Sequence, residues 1–213
     1  VVIFGNNTVG VELTEFCLNH PGIEILGVRP EPGDKGVDGW QKSLKKYCQD
    51  HQLPVLEWNK LSDENVLHQL REWQPDFIFS FQCRAILKKD LIEIPLEGVV
   101  NLHFAKLPKY RGCYPIAWAL LNGENNIGVT WHYIDEGIDT GDIIYQRDIP
   151  VESQDSARTL FDKATLSCVE DVGEVLGKIL SGQAVHAKQN GTQATYYSKH
   201  SIDFDRNFVD WNR

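Results

Sequence analysis

The fold class follows from the first 28 residues, which run VVIFGNNTVGVELTEFCLNHPGIEILGV. Residues 1–5 form a short apolar run that ends in a glycine, a pattern typical of a buried parallel strand. Apolar residues at helical spacing come next, and Pro21-Gly22 ends that helix. A second apolar run occupies residues 23–28. We therefore predict a strand–helix–strand unit whose two strands are parallel.

The same alternation of strands and helices continues along the chain, which predicts a doubly wound α/β domain. The last two strands flank a short acidic turn and are expected to be antiparallel, so the sheet is mixed. We predict a Rossmann-like, three-layer domain with a mostly parallel sheet over residues 1–180, and a short C-terminal tail over residues 181–213. The predicted helices cover residues 40–51, 62–73, 114–122 and 156–180, and the predicted strands cover residues 53–56, 76–81, 98–103, 128–134 and 142–149, with a β-like piece at residues 195–197.

The composition excludes several classes of protein. The 213 residues are 42% hydrophobic and 24% charged, which is ordinary for a globular protein. A net charge of −9 argues against a general nucleic-acid binder, which needs a basic surface. The sequence has no apolar run of membrane-spanning length and no signal peptide, and its five cysteines are scattered. We expect a cytoplasmic protein without a membrane span, a bound metal or a nucleic-acid partner.

Asn101 and His103 are the first candidates for chemistry. They lie two residues apart in the predicted strand over residues 98–103, so both side chains point to one face near its carboxyl end. Open α/β sheets usually bind ligands beyond that end. An Asn amide can donate a hydrogen bond to a developing oxyanion, and a His can exchange a proton at neutral pH. Together they suit nucleophilic attack on a carbonyl, although a histidine near a strand end is often only a hydrogen-bonded structural residue.

Two further segments carry clustered polar residues. Residues 135–141 read Asp-Glu-Gly-Ile-Asp-Thr-Gly, which predicts a tight acidic turn. Taken alone, this turn could be a hairpin loop whose polar side chains have no catalytic role. It is not a calcium-binding EF-hand loop, because it lacks the terminal Glu. Residues 107–112 read Leu-Pro-Lys-Tyr-Arg-Gly, a basic and aromatic loop that by itself could be a solvated turn.

In this order and spacing, the three segments resemble the folate-dependent formyltransferase family, over about residues 76–150. The resemblance places the family's invariant trio on Asn101, His103 and Asp139. It implies that an acceptor amine attacks the formyl carbon of the co-substrate 10-formyltetrahydrofolate. Asn101 and His103 would stabilise the oxyanion of the tetrahedral intermediate, and Asp139 would orient His103 and help to relay protons. Whether His103 acts mainly as a base or mainly as an oxyanion partner stays open.

The resemblance also implies where the folate binds. In this family the pterin ring lies between two backbone stretches whose peptide groups recognise its edge. The predicted cofactor-binding residues are Gln82, Cys83, Arg84, Ala85, Ile86 and Leu87 in the first stretch, and Asp135, Glu136, Gly137 and Ile138 in the second.

Three acceptors are compatible with the family: methionyl-tRNA, glycinamide ribonucleotide and a nucleotide-linked amino sugar. The tRNA enzyme is disfavoured because it is expected to carry a further, basic C-terminal domain, whereas this sequence has a charge of −9 and ends soon after Tyr197. The glycinamide ribonucleotide enzyme of purine synthesis has Pro-Ser-Leu-Leu-Pro after its catalytic His, where this chain has Phe-Ala-Lys-Leu-Pro over residues 104–108. Residues 122–124, 128–132 and 195–199 look most like the sugar N-formyltransferases that serve surface polysaccharides such as the O-antigen of lipopolysaccharide.

We therefore expect a nucleoside-diphosphate amino deoxysugar, with dTDP as the favoured nucleotide. A nucleotide-binding module without catalysis, built on the same fold, is the alternative from another class. The pyrophosphate needs donors, and a helix N-terminus is a natural anion site. The predicted substrate-binding residues are Asn6, Asn7, Arg84, Lys109 and Tyr110, of which Tyr110 could also stack on the base. Alternatively, the Asn pair caps a helix, Lys109 is a solvated cation and Tyr110 is a packing residue. The tail's β-like piece could pair across a homodimer.

Overall fold

A computed structural model of the chain describes residues 1–201. Its helices and strands alternate through most of this length, as the sequence predicts. In chain order they are β1 (Val2–Gly5), α1 (Asn7–Asn19), β2 (Gly27–Pro30), α2 (Leu44–Asp50), α3 (Glu64–Trp73), β3 (Phe77–Phe81), α4 (Lys89–Ile92), β4 (Gly98–His103), β5 (Arg111–Gly112), α5 (Pro115–Leu121), β6 (Asn126–Tyr133), β7 (Ile143–Pro150), α6 (Ala157–Leu180), a 3₁₀ helix (Gly191–Gln193) and β8 (Tyr196–Tyr197).

The main sheet has six strands in the order β2-β1-β3-β4-β6-β7. β1 pairs in parallel with β2 and β3, and β3 pairs in parallel with β4. β6 is antiparallel to both β4 and β7. The predicted Rossmann-like α/β fold with a mixed, mostly parallel sheet is therefore confirmed.

Apolar clusters cover both faces of this sheet, which gives the three layers. Side chains alternate between the faces along each strand because the strand period is two residues. On one face, Phe79 and Val100 pack in the cluster that contains apolar residues of α1 and α6. On the other face, Phe4 and Ile78 pack with Leu70 of α3. All five of these side chains are fully buried.

The predicted element boundaries agree to within two residues for most elements, and β4 is placed as predicted. β2 is an exception, because it begins four residues after the start of the apolar run at residues 23–28. Gly27 lies directly under Leu56, where a Cβ atom would come 2.8 Å from that side chain. The helix predicted from residue 40 begins only at Leu44, after the cap Ser43. The strand predicted over residues 53–56 is reduced to one isolated bridge between Val28 and Val55.

The β-like piece of the predicted tail is β8, which pairs in parallel with β5 of the same chain. The strand therefore finds its partner within the molecule and does not await a second copy, and the homodimer stays a prediction. The last part of the predicted tail, residues 202–213, lies outside the described residues. Within residues 1–201, no helix combines the length and the apolar character needed to cross a bilayer.

Candidate active site

The structure brings the three predicted catalytic residues together, and a second histidine lies among them. Asn101 and His103 come from β4, and Asp139 comes from the turn between β6 and β7. Asp139 lies between two imidazoles, with Oδ2 3.7 Å from His103 Nδ1 and Oδ1 3.6 Å from His132 Nε2. His132 is directly opposite Asn101 in the antiparallel pairing of β4 with β6.

The amide of Asn101 is held in one orientation by two neighbouring strands. The hydroxyl of Ser80, on β3, donates to Asn101 Oδ1 at 2.7 Å. Asn101 Nδ2 lies 3.0 Å from His132 Nε2, on the other side. An amide nitrogen carries two hydrogens, so a second hydrogen bond from Asn101 can go to a ligand oxygen. The Asn101 N–H groups are thus oriented as an oxyanion donor requires.

His132 is neutral and acts as a hydrogen-bond acceptor towards Asn101. Its Nδ1 lies 2.7 Å from the carbonyl oxygen of Tyr133, so Nδ1 carries the proton and Nε2 accepts from Asn101. The ring is 1% exposed. Burial lowers the pKa of His132 to about 4, against the opposing effect of nearby Asp139. The sequence analysis did not select His132, and the signal for it is its place opposite Asn101 in the strand pairing.

His103 is buried, and one edge of its ring is fixed. Its Nε2 lies 2.8 Å from the carbonyl oxygen of Tyr110, so this nitrogen donates and Nδ1 faces Asp139. The 3.7 Å between His103 Nδ1 and Asp139 Oδ2 exceeds a direct hydrogen bond. Proton transfer between His103 and Asp139 therefore requires that the two side chains move slightly closer together, or that a bridging group lie between them.

Asp139 and its turn are held by contacts from β5, from the tail and from within the turn itself. Asp139 has a left-handed backbone, with φ at +52°, and its Oδ2 accepts from the backbone N–H of Gly112 at 2.7 Å. Gln189 of the tail donates to the carbonyl oxygens of Asp139 and Gly141, at 2.9 and 2.7 Å. Within the turn, Asp135 Oδ1 accepts from the backbone of Gly137 and from the hydroxyl of Thr140.

The two stretches predicted to bind the cofactor lie close together. Lys89, just after the first stretch, forms a 2.8 Å ion pair with Glu136 of the second. Cys83 and Ala85 pack against the same apolar cluster as Ile134, which directly precedes the turn. Ile86 is 75% exposed. The first stretch is therefore anchored to the core through Cys83 and Ala85 and faces solvent at Ile86.

The predicted substrate-binding residues are spread more widely. Asn6 precedes α1, where its backbone N–H donates to the carbonyl of Phe81 at 2.9 Å. Asn7 opens the helix with a φ of +59°. Arg84 belongs to the first cofactor stretch, and its backbone N–H donates to Glu31 at 2.9 Å.

Lys109 and Tyr110 do not present their side chains to the catalytic trio. Lys109 Nζ lies 3.3 Å from Glu124, and both residues line a cleft of about 360 Å³ that does not include the trio. The Tyr110 ring is 8% exposed, stacks on Tyr197 and donates its hydroxyl to Glu124 at 2.7 Å. The Tyr110 ring is thus a packing element in this structure, the alternative stated for it above, and its stacking on a base stays a prediction. Its contribution to the site is the carbonyl that holds His103.

Among the described residues, no group of three or more His, Cys, Asp or Glu side chains is arranged to hold a metal ion.

The chain is similar to known proteins in sequence and in fold. Residues 1–169 match the Formyl transferase family. The methionyl-tRNA formyltransferase of Thermodesulfovibrio yellowstonii is 36% identical over 215 residues, which cover the whole of this chain and 68% of that protein. Two solved structures share the fold along 95% of this chain. WlaRD, a sugar 3N-formyl transferase solved in the presence of dTDP and 5-N-formyl-THF, has a TM-score of 0.80 and 31% identity, over 70% of its own chain. The N-formyltransferase of Helicobacter canadensis, solved with folinic acid and dTDP-3-aminofucose, has a TM-score of 0.79 and 30% identity, over 71% of its chain. With a family match over most of its length and a site of this composition, the chain belongs to the formyl transferase family.

Proposed function

We propose that this protein transfers a formyl group from 10-formyltetrahydrofolate to the amine of a nucleotide-linked amino deoxysugar, with dTDP as the favoured nucleotide. The observation that carries the proposal is the fixed amide of Asn101 beside His103 and Asp139. A donor amide, an imidazole and a carboxylate grouped at the end of one strand suit attack of an amine on a formyl carbon.

In the proposed reaction, the neutral acceptor amine forms a bond to the formyl carbon, and the carbonyl oxygen becomes an oxyanion. The second N–H of Asn101 and a protonated His103 Nδ1 stabilise that oxyanion. The attacking nitrogen passes a proton to the Asp139 carboxylate. As the oxyanion re-forms the carbonyl and the bond from the formyl carbon to the folate nitrogen breaks, His103 Nδ1 gives its proton to that nitrogen, and transfer of the proton from Asp139 to His103 restores the site. Because Tyr110 occupies the Nε2 edge of His103, the Nδ1 edge facing Asp139 is the one that exchanges protons.

The formyl donor is proposed to bind between residues 82–87 and residues 135–138. The ion pair between Lys89 and Glu136 supports this placement, since it brings the residues that follow the first stretch close to the second. Both structural relatives described above were solved with a formylated folate. No step of the proposed chemistry requires a side chain from either stretch.

The amino-sugar acceptor is supported by the same two relatives, which are sugar formyltransferases related to this chain at 30–31% identity. The first turn of α1, with Asn6 and Asn7, is proposed to bind the pyrophosphate, since a helix N-terminus favours anions. Methionyl-tRNA is the second candidate acceptor, and the 36% identity to the Thermodesulfovibrio enzyme along the whole chain favours it. The net charge of −9 argues against it, because tRNA binding needs cationic surface.

The acceptor is tested by supplying 10-formyltetrahydrofolate with a panel of amines and measuring the release of tetrahydrofolate. The panel contains dTDP-linked 3-amino and 4-amino deoxysugars, glycinamide ribonucleotide and methionyl-tRNA, and His103→Asn serves as the inactive control. We expect turnover with an amino sugar. Turnover confined to methionyl-tRNA would assign the second candidate, and binding of a nucleotide sugar without turnover would favour a non-catalytic module. If no amine in the panel leads to release of tetrahydrofolate, formyl transfer itself is contradicted.

A further inference from the structure

An ion pair is buried at the carboxyl end of β2. Arg29 is 2% exposed, and its Nη1 lies 3.1 Å from Glu31 Oε1. The Glu31 side chain is itself only 15% exposed. Taking two charges out of water is costly, and an apolar pair of similar size is often as stable. The pair is therefore better explained by what it holds in place than by a gain in stability.

Both charged groups reach out of β2 to other segments. Arg29 Nε donates to the carbonyl oxygen of Trp58 at 3.0 Å, and its Nη1 lies 3.7 Å from Cys83 Sγ. The carboxylate oxygen of Glu31 that pairs with Arg29 also accepts from the backbone N–H of Arg84 at 2.9 Å. One carboxylate thus ties a backbone amide of the stretch 82–87 to the end of a buried strand.

Leu87 anchors the far end of that stretch in the core, and Cys83 and Ala85 pack against the same cluster, so the contact of Glu31 adds a hydrogen bond to a stretch otherwise held by apolar packing. The chain enters it through Gln82, which has a left-handed φ of +64°. Ile86, within the stretch, projects into solvent and provides no apolar anchor. A charge-assisted hydrogen bond to Arg84 N–H sets the direction of the peptide groups that follow. Those peptide groups, over residues 85–87, are the ones proposed above to contact the pterin.

We propose that Arg29 and Glu31 are positioning residues for the formyl donor, and that Glu31 sets the backbone of residues 84–87 for folate binding. This inference rests on the proposed function, because it takes residues 82–87 as the folate site. Neither side chain takes part in formyl transfer. Their loss should weaken binding of the folate while the rate of the bound complex is retained.

The test compares Glu31→Ala and Glu31→Gln in steady-state kinetics and in calorimetric binding of 5-formyltetrahydrofolate, which needs no acceptor. For Glu31→Ala we expect the donor KM and the folate Kd to rise about 10-fold or more, as for the loss of one charge-assisted hydrogen bond. The kcat and the acceptor KM should stay within about threefold of the wild type, a split that simple destabilisation does not produce. Glu31→Gln keeps an oxygen acceptor for Arg84 N–H and should recover part of the loss.

Glu57→Ala is the matched control, because it removes an exposed carboxylate that pairs with Lys45 at 2.7 Å, and it should leave every constant unchanged. An unchanged folate Kd in Glu31→Ala would overturn the inference, as would an equal loss of kcat and both KM values. If Glu31→Ala fails to fold, Glu31→Gln tests the inference by the same comparison of the donor KM and folate Kd with the kcat and acceptor KM. Wild-type protein that binds folate but formylates no amine contradicts the proposed function, while the binding comparison still decides the role of Glu31.

Discussion

The carboxyl end of β4 and the acidic turn at residues 135–141 supply the two halves of the site, and they are built differently. Asn101 is held by Ser80 and His132, which are distant in sequence and buried in neighbouring strands. The turn is held mainly along its backbone, by Asp135 within it and by Gln189 of the tail, which donates to the carbonyl oxygens of Asp139 and Gly141. The first arrangement fixes side chains and the second fixes a backbone path. Substitutions at the strand end, like those of the Asp139 side chain, should therefore change the rate, and substitutions that move the backbone of the turn should change donor binding.

The largest effect is expected at the strand end, with His103→Asn. This change removes the ionisable group next to Asp139, and we expect kcat to fall about 100- to 1000-fold, as for the loss of one oxyanion-stabilising group. Folate affinity should stay within about threefold, because His103 belongs to the side-chain half of the site. Rapid-quench or steady-state kinetics with the preferred acceptor measure both quantities. Turnover within threefold of the wild type would remove His103 from the mechanism.

A smaller effect, of the opposite kind, is expected in the turn with Gly141→Ala. A Cβ atom at Gly141 would come 2.0 Å from the carbonyl oxygen of Tyr133, so the backbone of the turn must move. We expect the donor KM to rise about 10- to 100-fold, since a displacement of about 1 Å at a site can cost that much. Gly33→Ala is the control, because its Cβ would meet no atom within 4 Å. An unchanged donor KM in Gly141→Ala would show that the path of the turn is unimportant for folate binding.

The pH dependence of stability tests how the strand end is held. The pKa of His132 is lowered to about 4 in the folded protein, below its ordinary 6.5. Between these two pH values, His132 is protonated in the unfolded chain and neutral in the folded chain. The free energy of unfolding therefore decreases as the pH falls from about 6.5 to 4. One such proton accounts for at most about 1.4 kcal/mol per pH unit.

We expect urea unfolding at pH 7 and pH 5 to show a smaller loss of stability in His132→Gln than in the wild type. The Gln side chain can still accept from Asn101, so the variant should fold. Substitution of the exposed His68 by Gln should leave the wild-type difference between the two pH values intact. A difference that is the same in His132→Gln and in the wild type would show that His132 titrates normally.

The smallest effect is expected for Lys89→Met, which removes the ion pair to Glu136 across the two folate stretches. Both side chains are more than half exposed, and exposed pairs contribute about 0–1 kcal/mol. The donor KM should rise no more than about fivefold at low salt, and the difference should vanish at high salt because ions screen the pair. A larger rise that persists in salt would mean that this surface contact, rather than the internal bonds of the turn, shapes the folate site.

The parts of the fold that depend on local patterns were predictable from the sequence. β4 has the bounds expected from its apolar run, and α3 and α6 begin within two residues of the starts predicted at residues 62 and 156. β2 was misplaced because pairing with β1, not hydrophobicity, sets its start at Gly27. Such a pairing joins residues far apart in sequence and leaves no local signal.

The same reasoning explains what was seen and missed in the site. Asn101, His103 and Asp139 were predicted from a family pattern, and the structure places His103 3.7 Å from Asp139. His132 was missed because its role depends on the register of β4 against β6, which places it opposite Asn101. The packing of the Tyr110 ring on Tyr197 could not be predicted from a local pattern either, since Tyr197 comes 87 positions later in the sequence.

The segment after α6 is polar in composition, yet it helps to hold the site in place through Gln189. Its amide nitrogen binds two carbonyls of the acidic turn, while its oxygen accepts from Arg111 at 2.6 Å. Thr195 accepts from the backbone of Tyr110, whose carbonyl holds His103. The smallest piece that could work as an enzyme therefore does not stop at residue 180, where the compact α/β layers end. Grafting this domain onto another protein, or trimming it for crystallisation, would require a cut after β8.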